Sequence, residues 1–168
     1  ASLGWNAVPM TGNSDSLRGK DCNRYMFHVE TQNSMYVNAE GAYFKQQNMV
    51  EGKNWYTLTA DYAFGHDLLS AAKAFLDTNG GIVAGEDLVP TDATDFSSYL
   101  LKIRQVEPDV VALNLAGTQI TNFFKQYREF GLDFTVGGFG FDTVAAWAAG
   151  AQNFRGTWPN VWNHLIPN

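Results

Sequence analysis

Short continuous apolar runs alternate along this chain with segments whose apolar positions fall three and four residues apart. The runs cover 54–59, 82–89, 108–115 and 134–138. A strand of a parallel sheet is covered on both faces, so it reads as an unbroken apolar run and does not alternate. The runs return about every 25 residues, the length that a strand followed by a helix needs. Between the first two lie Leu68, Leu69, Ala72, Phe75 and Leu76 on one helical face, ended by Asn79-Gly80-Gly81. Thr94 or Asp95 caps the next helix, with Phe96, Tyr99, Leu100 and Ile103 at i, i+3, i+4 and i+7. Ile120, Phe123, Phe124 and Tyr127 mark a third helix closed by Gly131, and Asp142 caps a fourth running to about Gly150.

The flanks are weaker. Residues 7–10 form a short extended run, 25–29 a strand or extended crossing segment, and 157–162 a last strand. Tyr36, Ala39, Tyr43 and Phe44 predict a helix across about 35–51. The fold class that follows is α/β, an open parallel sheet with helices on both faces. Ligands of such sheets sit beyond the carboxyl ends of the strands. The loops to examine are therefore 60–66, 90–95, 114–118 and 138–143, with Asp61, Tyr62, Phe64, Asn114, Thr118, Phe139, Phe141 and Asp142.

Composition narrows the function classes. With 168 residues, 45% hydrophobic and 17% charged, the chain is a globular domain able to bury about 70% of its unfolded surface. No apolar run reaches the ~20 residues of a membrane helix. A net charge of −6 with scattered Lys and Arg speaks against nucleic acid. The single cysteine, Cys22, rules out an internal disulfide and reads as a small half-buried core residue. The chain starts at Ala1 with no signal-like stretch, and is read as processed, engineered or a fragment.

Candidate chemistry is sparse. Gly137-Gly138-Phe139-Gly140 lacks the third glycine of a nucleotide loop, and two phenylalanines crowd it, so it reads as a tight turn. His28, His66 and His164 lack metal-ligand spacing, and neither a metal nor a cofactor is expected. Asp61 follows the first strong strand, where nucleophilic or phospho-accepting aspartates occur; a cap or turn role is the plainer reading. Phe64, Phe139 and Phe141 in strand-end loops fit core residues or a pocket for an apolar or aromatic ligand.

Several residues in order also carry a resemblance. Asp61-Tyr62-Ala63-Phe64-Gly65 follows a strand, Asp95-Phe96-Ser97-Ser98 opens a helix, and Phe154-Arg155-Gly156-Thr157 stands near the end. With the 108–115 run, Gly131-Leu132, and Gly19-Lys20-Asp21-Cys22 leading to Phe27-His28, they resemble the branched-chain amino acid receptor family. These are the periplasmic type I solute-binding proteins of ABC importers, two lobes joined by a hinge, in chains about twice as long as this one. The resemblance implies that 1–30 are a remnant of the first lobe and a crossing segment, and 31–168 the second lobe. It implies a ligand carboxylate held by the turn matching Thr11, Gly12, Asn13 and Ser14. It further implies an aromatic wall from Tyr62 and Phe64, and contacts from Asn114, Ala116 and Thr118 and from Phe139, Phe141 and Asp142.

In that family a carboxylate usually meets the ammonium of an amino acid ligand, and the matching position here is Phe139. An unpaired ammonium in a closed cleft costs several kcal/mol. The expected ligand is accordingly a small carboxylic acid, an aromatic one by preference, with a branched-chain amino acid or amide as the alternative. The implied partner is the importer's membrane permease, the implied location the periplasm, and a chain truncated in this way is expected to self-associate or bind weakly. A ligand-sensing receptor module and an aspartate-based enzyme remain as other readings; no catalytic residue is expected on the first.

Overall fold

The computed structural model describes residues 12–24, 31–141 and 143–159. The runs expected at 7–10 and 25–29, together with Thr11, Asp142 and the far end of the last expected strand, lie outside the described residues. After a single 3-10 turn at Asp15–Arg18, helix and strand alternate: α1 (Asn33–Gln46), β1 (Asn54–Ala60), α2 (Ala63–Asn79), β2 (Ile82–Val89) and α3 (Ser97–Val106). They continue as β3 (Val110–Asn114), α4 (Thr118–Glu129), β4 (Thr135–Gly137) and α5 (Thr143–Ala149).

The four strands form one parallel sheet in the order β2-β1-β3-β4. Successive side chains point to opposite faces, and the two cores follow this alternation. Tyr56, Leu58, Val111 and Leu113 pack with α3, α4 and α5, through Leu100, Ile103, Phe123, Phe124 and Ala145. Trp55, Val110 and Ala112 pack with α1 and α2, through Val37, Phe44, Leu68 and Leu76. The open α/β sheet covered on both faces is the expected architecture.

Local differences have local causes. The first helix stops at Gln46 and not near 51, because Asn48 takes a left-handed φ of 57° and turns the chain into β1. α2 begins at Ala63, so Phe64 and Gly65 belong to its first turn and not to the preceding loop. Any Cβ at Gly65 would overlap the Ala60 carbonyl oxygen, which is why the end of β1 can press so closely on the helix. α3 starts at Ser97, whose amide donates to the Asp95 carboxylate at 2.9 Å. β2 pairs only with β1 among the described strands, and its Ile82, Val83 and Leu88 are exposed despite the apolar run. Near the end, Thr157 makes one isolated parallel bridge to Gly137 where a fifth strand was expected. Cys22 is exposed, not half-buried, because it follows a turn outside both cores. No helix among the described residues is long and apolar enough to cross a membrane.

Candidate functional site

Parallel strands deliver all their following loops to one end of the sheet, and here two of those loops meet the start of α2. A Cβ placed on Gly140 would lie 2.8 Å from the Phe64 ring and 3.1 Å from the Leu115 carbonyl oxygen. The first turn of α2 and the β3–α4 and β4–α5 connections therefore touch through a glycine that leaves room for a phenyl ring. Phe64 stacks on Tyr62, with ring centroids 5.9 Å apart and planes 26° from parallel. Tyr62 is 39% exposed, so the pair presents an aromatic surface at the sheet's carboxyl end. Partial burial pushes the Tyr62 phenol above its ordinary pKa, which keeps it a neutral hydrogen-bond donor.

Asn33, which the sequence did not single out, ties this corner together. It opens α1, is fully buried, and donates from Nδ2 to the Phe64 carbonyl at 3.2 Å. Its backbone amide donates to the Asn13 carbonyl at 3.1 Å. Asn13 in turn donates from Nδ2 to the Thr31 carbonyl at 2.8 Å and to the Tyr36 hydroxyl at 3.3 Å. The turn carrying Gly12, Asn13 and Ser14 is thus seated beside the start of α1. It also reaches α2: the Ser14 hydroxyl and the Asp15 amide both donate to the Asp67 carboxylate, the amide at 3.1 Å. Burial, and then the charge of Asp67, raise the Asp15 pKa, with Arg18 opposing. A hydroxyl and an amide of this turn thus converge on one carboxylate, that of Asp67.

The remaining expected residues divide. Asn114 is fully buried within the sheet, donating from Nδ2 to the Thr59 hydroxyl at 3.0 Å. Ala116 is half-buried, and Thr118 is exposed on the first turn of α4. Gly117 before it adopts φ 55° and faces open space. Phe139 and Phe141 depart from the expected pocket wall. Phe139 is 1% exposed in the core under α1 and α2. Phe141 is 2% exposed on the opposite side, edge-on to Phe124 at 5.4 Å and to Phe154 at 5.5 Å. The tight turn after the three-residue β4 folds both rings back onto the sheet.

Asp61 pairs with His66 at 2.9 Å, both about half exposed, at the start of α2. No group of three or more His, Cys, Asp or Glu that could hold a metal is found among the described residues. One further group lies just behind the site. Glu40 on α1 is 3% exposed; its Oε1 accepts from the Gly138 amide at 3.3 Å and the Thr157 hydroxyl at 2.5 Å. Burial pushes its carboxyl up to about 8, against the two hydrogen bonds, which lower it.

Comparison with known proteins agrees with this fold. The family model described as "Periplasmic binding protein" matches residues 4–167. A periplasmic binding protein from Burkholderia mallei is 30% identical and superposes with a TM-score of 0.77, over 85% of this chain and 38% of its own. A branched chain amino acid ABC transporter periplasmic ligand-binding protein from Burkholderia xenovorans LB400 is 26% identical, with a TM-score of 0.75, over 87% and 39%. A solute binding protein of an ABC transporter from Rhodopseudomonas palustris BisB5, in complex with 3,4-dihydroxybenzoic acid, is 27% identical, with a TM-score of 0.69, over 78% and 36%. No curated protein sequence matches the chain. The chain spans under two fifths of the length of each of these solved proteins. A match over nearly the whole chain, on a sheet of the same topology class, settles the family: the chain belongs to the periplasmic binding proteins, of the branched-chain amino acid receptor type.

Proposed function

We propose that this chain forms the second lobe, with a short piece of the first, of an extracytoplasmic receptor for an ABC importer. The receptor closes its two lobes over a small carboxylic acid and presents the closed form to a membrane permease; no bond is made or broken. Residues 31–168 supply the lobe, and 1–30 the first-lobe remnant and crossing segment. The observation that carries the reading is the stacked Tyr62–Phe64 pair at the sheet's carboxyl end, beside a turn whose hydroxyl and amide already hold a carboxylate. An aromatic face next to carboxylate donors suits an aromatic acid. In support, one solved relative holds a dihydroxybenzoic acid.

An amino acid is the second reading, since another solved relative is a branched chain amino acid ABC transporter protein. Among the described residues, the candidate site offers an ammonium group Asp61 and Asp67, each already paired with a neighbour, and Asp15, whose carboxyl burial and the charge of Asp67 push toward its neutral form. We favour the acid for that reason. A thermal-shift panel of benzoates, cinnamates, branched-chain acids and amino acids on the two-lobed protein tests this. Ligand at 100 times its dissociation constant adds about 2.7 kcal/mol, a shift of a few degrees. Stabilisation confined to aromatic acids is expected; stabilisation by amino acids alone overturns the ligand assignment, and silence across the panel overturns the receptor reading.

A further inference from the structure

The geometry points to Glu40 as a positioning residue that clasps the β4–α5 loop to the returning chain at Thr157, from behind the cleft. Four facts converge on it. The first is connectivity. Glu40 belongs to α1, yet one of its oxygens accepts from two segments far along the chain, the Gly138 amide and the Thr157 hydroxyl. Those segments also meet directly, through Gly138 N–H to the Thr157 carbonyl at 2.8 Å and Thr157 N–H to the Val136 carbonyl at 3.1 Å.

The second is space. A Cβ on Gly137 would come within 2.7 Å of the Phe44 ring and 3.5 Å of Glu40 Oε1, so the missing side chain admits the Phe44 ring and leaves the carboxyl at contact distance of β4. The third is position. The loop so held contains Gly140, against which the Phe64 ring packs, so a shift of Gly138 is passed to the Tyr62–Phe64 face. The fourth is the state of the acid. Its other oxygen, Oε2, is buried without a hydrogen-bond partner among the described residues. Next to the carboxyl lie Gly137 from β4, the Gly138 amide and the Thr157 hydroxyl. No charged or titratable side chain of α1, α2, β3, β4 or the two clasped segments acts on it among the described residues. A buried carboxyl facing only neutral groups is held as the neutral acid. Glutamine has the same shape and the same neutral acceptor, so it reproduces the clasp, whereas alanine deletes it.

The ligand arm of this inference rests on the cleft reading above; the clasp itself does not. The test compares the wild-type chain with Glu40→Gln and Glu40→Ala, by residue-resolved amide exchange and by the infrared band of a protonated carboxylic acid. At pH 7 the wild type shows a buried protonated-acid band that is absent from Glu40→Gln. Glu40→Ala speeds exchange at Gly138 and Thr157 by about tenfold or more, while Glu40→Gln leaves both protected. If Glu40→Ala does not fold, the infrared band and the protection in Glu40→Gln still decide. A missing band in the wild type, or lost protection in Glu40→Gln, overturns the neutral clasp. Unchanged protection in Glu40→Ala overturns it too.

In the two-lobed protein, titration with benzoate reads the positioning role. Affinity falls about tenfold in Glu40→Ala and is kept in Glu40→Gln. Equal affinity in all three proteins overturns positioning. A wild type that binds no benzoate sinks the ligand assignment and leaves the exchange result standing.

Discussion

Burial holds the Glu40 carboxyl at about 8, against an ordinary value of 4.5. An acid whose pKa is raised by folding keeps its proton more tightly in the folded state, so it stabilises the fold where both states are protonated. That contribution is whole below pH 4.5 and is lost as pH climbs to about 8, at roughly 1.4 kcal/mol per unit. Above that range the folded protein carries a buried anion. The sign is opposite to that of a carboxylate whose ionised form is favoured by its partners, such as Asp109, whose pKa is lowered by the Asn54 amide and, less, by Lys53. Urea melts of the wild type and Glu40→Gln between pH 5 and pH 8.5 measure the difference. The wild type should lose stability relative to the variant by about a few kcal/mol across that window. Parallel profiles would show that the carboxyl titrates near its ordinary value.

At the scale of elements, α4 organises one whole side of the sheet. Phe124 is fully buried and packs against Phe123, Tyr127, Phe141 and Phe154, with centroids 4.7 to 6.2 Å away. Tyr127 next to it donates its hydroxyl to the Phe134 carbonyl, and burial holds that phenol at about 12. Through these rings α4 fixes the chain before β4, the turn after it and the segment beyond α5. Phe124→Ala should therefore cost about 3–5 kcal/mol, read as a lower urea midpoint, and Phe124→Leu distinctly less. A loss below about 1 kcal/mol would mean the cluster collapses around the gap. The helical face of α4 was legible in the sequence because Ile120, Phe123, Phe124 and Tyr127 repeat at helical spacing, and β2 was legible to the residue. What the period could not show was contact across the chain. Phe139 and Phe141 carry no periodic signal; their burial depends on a turn that sends one ring to each face. Asn33, Glu40 and Asp67 looked like ordinary polar helix positions, since their partners lie 31 to 117 residues away in sequence. A polar residue on the inward face of a helix was the one available sign, and Glu40, four residues before Phe44, carried it.

For the whole molecule, the decisive quantity is how much of a ligand one lobe can cover. A closed small-molecule site buries roughly 70–90% of its ligand, and on the proposed receptor reading the sheet's carboxyl end offers a single wall of such a site. The Tyr62–Phe64 face and the Ser14 turn lie on this chain. The solved relatives devote more than three fifths of their length to parts that it does not match. With one wall, a benzoate keeps one ring face in water, and part of the apolar gain of about 25 cal/mol per Å² is forfeited. The Ser14 hydroxyl and Asp15 amide are, moreover, already engaged by Asp67, so an incoming carboxylate must displace a partner to reach them. Both effects act in the same direction. Calorimetric titration should find benzoate bound by the 168-residue chain at least about a hundredfold more weakly than by the two-lobed protein. Asp67→Asn should recover part of the loss, since a neutral amide competes less well for the two donors. Sedimentation at the titration concentration identifies the species: a dimer closing the site over its own second copy would bind more tightly as protein concentration rises. A monomer with the affinity of the two-lobed protein would place the whole binding site on this chain and overturn the two-lobe account.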